Sequence, residues 1–168
     1  MSIETSGIPV KKQIHGKFLT FLISKERYGI DILMVQEIIG VTHITTVPRC
    51  YDFMKGVINL RGKIIPVVDL RLKFGIDAIP YGERTCIIVV HLKRDGQTVP
   101  VGIIVDTVLE VIHFNDSEVE PAPNYGQQLE TGFVIGMGKR ESTLNILIDI
   151  ERVISSADAV KLVEVSQS

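Results

Sequence analysis

The stretch Val57-Ile58-Asn59-Leu60-Arg61-Gly62-Lys63-Ile64-Ile65-Pro66-Val67-Val68-Asp69 decides how this chain folds. Two apolar, β-branched runs flank Arg61-Gly62, a pair suited to a tight hairpin turn with glycine where φ must be positive. Pro66 lacks a backbone donor, so its strand is expected at a sheet edge or with a bulge at that point. Asp69 then precedes Leu70, Leu72, Lys73 and Phe74, and Gly75 follows. That order is an N-cap, a short helix and a stop.

The same grammar recurs outward from this block. Residues 86–91 and 99–105 flank Asp95-Gly96, a second hairpin signal. Residues 18–23, 28–32, 108–114, 134–137 and 144–148 read as further strands, and 44–47 as a short one ending at Pro48. Ile32, Val35, Ile38 and Ile39 are spaced i, i+3, i+6, i+7, which predicts a helical turn or two stopped by Gly40. The Pro- and polar-rich stretch 115–128 reads as a surface loop with one turn at Asp116-Ser117-Glu118. Asp149 leads into a second short helix through Ile150, Val153 and Ile154, so 63–75 and 144–155 form a weak internal repeat of strand, Asp and amphipathic turn. Many short strands with few helices predict an all-β chain built from small barrels, whose closure would hide the edges of such Ile/Val-rich strands.

Composition agrees. Of 168 residues 45% are hydrophobic but only 6% aromatic, with no Trp, so the apolar mass is Ile, Val and Leu. The net charge of −2 comes from 18 basic and 20 acidic residues spread along the chain. A nucleic-acid binder would show a basic stripe or stacking aromatics, and neither is present. Cys50 and Cys86 stand alone in their segments and read as small buried hydrophobes of a reduced compartment. No secretory signal opens the chain, and its longest apolar runs fall far short of the ~20 residues of a membrane helix. The expectation is a soluble, intracellular protein.

No constellation of catalytic residues stands out. Asp69, Asp106 and Asp149 each end an apolar strand; Asp69 and Asp149 read as helix caps rather than as an acid/base pair. His15, His43, His91 and His113 lack ligand partners at metal-binding spacing. Gly136-Met137-Gly138-Lys139 lacks the rest of a phosphate loop and reads as a β-turn. Neither a serine elbow nor an activated cysteine is present, so no cofactor, metal or nucleophile is assigned. Arg61 is different. As a turn residue it needs only to be soluble, yet its guanidinium fork can hold a carboxylate, with Glu37 the candidate if the helical turn packs nearby. Met34 and Val35 fit either a core or an exposed groove for a partner helix, and periodicity does not separate the two.

Three stretches resemble the signatures of CheW-type coupling proteins of bacterial chemotaxis. They are Tyr28-Gly29-Ile30-Asp31-Ile32-Leu33-Met34-Val35-Gln36-Glu37-Ile38-Ile39, the block 53–71 around Asn59-Leu60-Arg61-Gly62, and Val101-Gly102-Ile103-Ile104-Val105-Asp106-Thr107-Val108-Leu109-Glu110-Val111. Pro121-Ala122-Pro123 falls in the loop the family places after them, and the resemblance runs in register from about Phe18 to Ile154. It implies two five-stranded SH3-like β-barrels packed side by side over residues 17–155, between an N-terminal arm at 1–16 and a tail at 156–168. It also implies an adaptor without catalysis. Its partners would be methyl-accepting chemotaxis receptors, gripped at their helical hairpin tips, and the regulatory domain of the histidine kinase CheA. The adaptor would be cytoplasmic and recruited to membrane receptor arrays.

Carried over residue by residue, the resemblance places Val35, Gly56, Arg61, Val108 and Val111 at the receptor-facing groove, with Glu37 as the salt-bridge partner of Arg61. Glu120 and Tyr125 fall at a barrel-to-barrel contact with the kinase, where the acidic Glu120 departs from the family's usual pattern. CheV-type scaffolds and detached kinase regulatory domains are the neighbouring reading, and normally carry a further receiver or catalytic domain. A small β-barrel enzyme would need a concave polar site with a perturbed titratable pair.

Overall fold

The computed structural model describes residues 14–121 and 132–154, which carry eleven strands. These are β1 Gly16–Ile23, β2 Glu26–Asp31, β3 Val35–Gly40, β4 Met54–Leu60, β5 Lys63–Asp69, β6 Cys86–Arg94, β7 Gln97–Val105, β8 Thr107–Phe114, β9 Val119–Glu120, β10 Val134–Arg140 and β11 Thr143–Ile148. Two one-turn helices follow capping aspartates: α1 Leu70–Lys73 after Asp69 and α2 Ile150–Val153 after Asp149. The strands form two mixed sheets, ordered β8-β1-β2-β11-β10-β9 and β3-β6-β7-β5-β4.

The continuous apolar runs are explained by burial on both faces. Ile88, Val90 and Leu92 of β6 enter a core shared by the two sheets, while the alternate residues Ile87 and Val89 enter a smaller core on the other face. The shared core takes Leu19, Phe21 and Ile23 from β1 and Val101, Ile103 and Val105 from β7. A third core gathers Phe18, Ile112, Phe114 and Leu147 behind the six-stranded sheet. Period-2 alternation therefore sorts one strand's residues between two cores.

The internal repeat is exact in register. Adding 80 to each residue number of the β4–β5 ladder reproduces the β10–β11 ladder: Met54 opposite Val68 becomes Val134 opposite Ile148, and Leu60 opposite Lys63 becomes Arg140 opposite Thr143. Both ladders shift register before Gly56 and Gly136. The third strand of each set pairs in parallel, β5 with β7 and β11 with β2. The β1–β2 hairpin thus serves the second unit from the other end of the chain.

Several expectations are corrected. The described strands form two mixed sheets of six and five strands that are not closed barrels, so the expected pair of five-stranded SH3-like barrels is met as an all-β chain of two packed sheets and not in its closure. In the five-stranded sheet the edges β3 and β4 are linked by one bridge, Thr45 to Val57, from the chain that follows β3. In the other sheet β9 adds two residues beside β10. The chain itself brings the edges round; hydrogen bonding does not complete either ring. The strand expected at 44–47 reduces to that bridge. The helical turn expected from Ile32 to Ile39 is a 3₁₀ turn at Ile32–Met34 followed by β3. There, half-buried and exposed residues alternate from Val35 to Gly40, because tertiary pairing with β6 overrides the helical spacing. Gly136-Met137-Gly138-Lys139 is strand, not turn: the ring of Phe114 lies where a Cβ on Gly138 would stand, 2.8 Å from its Cζ. Pro66 sits in an interior strand. Hairpin pairs alternate outward from Leu60–Lys63, so its nitrogen faces away from β4, and pairing with β7 begins only at Val67.

Candidate functional site

Two crossovers carry the chain between the sheets and place Val35 and Val108, two of the residues singled out from sequence. The first runs from β2 through Ile32–Met34 into β3. Asp31 accepts from the Leu33 N–H at 2.9 Å, and His91 Nε2 lies 3.2 Å from the Leu33 carbonyl oxygen. This rigid turn leaves the Leu33 side chain 80% exposed and starts β3 at Val35, which packs on the shared core. The second crossover runs from β7 through Asp106 into β8. Val108 there packs on the same core, and Val111, further along β8, is 49% exposed. Since β8 is an edge strand, Val111 stands beside an open sheet margin.

Arg61 and Glu37 are brought together. Arg61 occupies the β4–β5 turn at φ 50, followed by Gly62 at φ 87, the left-handed pair of a two-residue hairpin. Its guanidinium reaches across to edge strand β3 and grips Glu37 with two nitrogens, Nη1 to Oε1 at 3.1 Å and Nη2 to Oε2. Hydrogen bonds from Arg61 hold the Glu37 carboxyl below its usual range, and the carboxylate in turn raises Arg61. The Arg61 side chain is 68% exposed, against 24% for Glu37. A shallow depression of about 200 Å³ beside the pair is lined by Gln36, Leu60, Lys63 and Pro100. Structurally such a pair blunts a sheet edge; chemically it offers a charged, bidentate contact to a partner.

Gly56 has a structural task of its own. It is buried in the β4 bulge at φ 143, and a Cβ there would be driven into the Thr45 carbonyl oxygen. Its role is to let the Thr45–Val57 bridge form. Glu120 lies on β9 in the other sheet, salt-bridged to Lys139 at 2.5 Å. Tyr125 and the other residues of 122–131 lie outside the described residues, as do 1–13 of the expected arm and the expected tail.

Asp69 and Asp149 cap their helices, accepting from Arg71 and Glu151 N–H at 2.9 and 3.0 Å. Asp106 precedes no helix; it accepts from the Ser24 N–H at 2.7 Å and from Arg71 Nη1 at 2.6 Å. Sequence reading missed this pair, and the Tyr81 hydroxyl that donates to Asp69 at 2.8 Å, because nothing in the spacing links residues so far apart. Desolvation first, then the Asp69 hydrogen bond and charge, raise the Tyr81 phenol. Among the described residues no group of three His, Cys, Asp or Glu is arranged to hold a metal ion, and no helix is long and apolar enough to cross a membrane. A crevice of about 460 Å³ between Phe18, Met34, Ile148 and Ile150 has Asp149 and Arg152 on its rim, one occupied as a cap and the other bonded to the Gly132 carbonyl.

Known proteins match this arrangement along most of the chain. The family model for the CheW-like domain matches residues 17–158. The chemotaxis protein CheW of Klebsiella aerogenes is 41% identical over 152 residues, covering 90% of this chain and 89% of that protein. CheW of Bacillus subtilis is 34% identical over 148 residues, 86% of this chain and 92% of that one. The crystal structure of the scaffolding protein TtCheW from Thermoanaerobacter tengcongensis superposes with a TM-score of 0.74 at 36% identity, covering 86% of this chain and 96% of that chain. Matched by that family model over residues 17–158 and by these relatives over most of its length, the chain belongs to the CheW-like family.

Proposed function

We propose that this chain is a chemotaxis adaptor that couples methyl-accepting receptors to the histidine kinase CheA and catalyses no reaction itself. Family membership along nearly the whole chain carries this reading. The described surface suits it: apolar side chains on two rigid crossovers, a charged fork at one sheet edge, and no cluster of reactive groups among the described residues. The receptor tip would lie against the crossovers, with Val35 and Val108 forming the floor from the shared core and Val111 the exposed margin. Arg61, oriented by Glu37, would supply the charged contact that ties occupancy of the adaptor to kinase output. Kinase contact through the second unit would involve Glu120 and Tyr125. Array recruitment then needs only weak individual contacts, since linked partners raise one another's effective concentration.

The test uses full-length protein with purified receptor hairpin tips and CheA, measuring co-sedimentation and kinase activity. The wild type is expected to join both partners and raise kinase activity. Val111→Glu, on an exposed position, is expected to keep its fold and lose receptor binding by tenfold or roughly so, the cost of one interface anchor. Failure of the folded wild type to bind either partner overturns the reading.

A further inference from the structure

Each short helix reaches toward the opposite sheet, α2 to its hairpin directly and α1 through Asp106 on the β7–β8 crossover. Arg71 is the second residue of α1, which belongs to the five-stranded unit. Its Nη1 donates to Asp106 Oδ2 at 2.6 Å, and that same oxygen accepts from the backbone N–H of Ser24, in the β1–β2 turn of the six-stranded sheet, at 2.7 Å. Arg71 Nε donates to the Asp77 carbonyl at 2.9 Å, which fixes the guanidinium plane. The ion pair is well enclosed, with side chains 11% and 18% exposed.

The repeat offset of 80 residues carries Arg71 to Glu151, the second residue of α2, which belongs to the six-stranded unit. Glu151 also reaches across. Its Oε1 accepts at 2.9 Å from the backbone N–H of Lys93, near the β6–β7 turn of the five-stranded sheet. Beside it, Arg94 Nη2 donates to the Ile154 carbonyl at the end of α2 at 3.1 Å. One position thus holds a cation that meets Asp106 on the β7–β8 crossover, which in turn holds the β1–β2 turn, and its counterpart an anion that binds the β6–β7 hairpin directly. The reach is shared; the chemistry is not.

We propose that Arg71 with Asp106, and Glu151 with Lys93, form two reciprocal clasps that fix the orientation of one sheet on the other. The apolar core between the sheets supplies cohesion, but burial is non-directional and tolerates small slides and rotations of one face on another. Hydrogen bonds have direction, and enclosed, charge-assisted ones hold their geometry best. Two charge-assisted contacts at separate places, one enclosed at Asp106 and one exposed at Lys93, restrain rotation as well as translation. Val35 and Val108 lie on the crossovers between the clasped units, so their separation is set by the same restraint.

The test is a distance measurement on the full chain, independent of any partner. With Cys50 and Cys86 replaced by serine, nitroxides at exposed Thr98 on β7 and Ser142 in the β10–β11 turn report between the sheets. A second pair, Thr98 and Lys63, reports within one sheet. The wild type is expected to give one narrow distribution for each pair. Arg71→Gln with Glu151→Gln is expected to broaden the inter-sheet distribution about twofold while the intra-sheet one stays narrow, and the two changes are expected to couple by roughly threefold or more in the unfolding constant. Asp106→Asn with Glu151→Gln, which keeps side-chain size, is the milder version with the same expectation. An inter-sheet distribution as narrow as the wild type's, or equal broadening of both pairs, overturns the proposal.

Discussion

Asp69 and Asp149 occupy the same place in the two sheets. Each ends an interior strand, donates its N–H to the carbonyl of a phenylalanine (Phe53 at 2.7 Å, Phe133 at 2.8 Å), and caps a one-turn helix with its carboxylate. Their surroundings differ: Asp69 is 1% exposed and also accepts from Tyr81, whereas the Asp149 side chain is one-third exposed beside Arg152.

Asp69→Ala is therefore expected to cost about 2–3 kcal/mol, the cap plus a Tyr81 hydroxyl left without its partner. Asp149→Ala should cost about 1 kcal/mol, the cap alone. Urea unfolding of the two variants checks the order. Equal losses would mean that Tyr81 adds nothing.

Tyr81 makes a second expectation. Its phenol is raised in the folded state by desolvation and by Asp69, so the protonated form favours folding. That contribution is complete below the ordinary tyrosine pKa of 10.0 and is lost as pH rises through the folded value. Tyr81→Phe should accordingly flatten the alkaline fall in stability. An unchanged alkaline limb would show that another group controls it.

The acid side belongs partly to Glu37. Arg61 lowers its pKa on folding, so its contribution is present above the ordinary glutamate value of 4.5 and is lost as pH falls through the folded value. Denaturation midpoints between pH 7 and pH 3 should fall less steeply for Glu37→Gln than for the wild type. The difference should shrink in high salt, since the Arg61 side chain is largely solvated.

Arg61→Asn separates fold from function. Asparagine is well suited to the φ of 50 at this turn, so the midpoint of unfolding should be unchanged or higher. The ion pair to Glu37 is lost all the same. Kinase coupling should fall with it; a folded Arg61→Asn protein that couples normally would remove Arg61 from the site.

Gly56 and Gly136 are equivalent by register but not in tolerance. At Gly56 a Cβ meets the backbone oxygen of Thr45, which cannot move without breaking the bridge to Val57. At Gly136 the nearest atom is a Val119 side-chain methyl at 2.8 Å, which can turn aside. Gly56→Ala is expected to destabilise by about 3 kcal/mol and Gly136→Ala by about 1 kcal/mol, measured by thermal unfolding. Loss of receptor binding in a Gly56 variant would then follow from a displaced strand.

The hairpin at Arg61-Gly62, both capping aspartates and the internal repeat were legible in the amino-acid order because each rests on neighbours within a few residues, where turn and cap chemistry act. So was the Glu37–Arg61 pair, though only as a candidate. The β3 strand was not, since β-branched residues at helical spacing fit either state until β6 offers a pairing edge. The absence of closed barrels, the burial of Gly56 and the enclosure of Asp106 by Arg71 and Ser24 are tertiary facts. They join residues up to 82 apart along the chain. What the residue order determined by itself was local: alternation, turns, caps and the family they spell. The three-dimensional packing alone decided which edges meet and which charges find each other, because long-range contacts depend on where two sheets settle on a shared core.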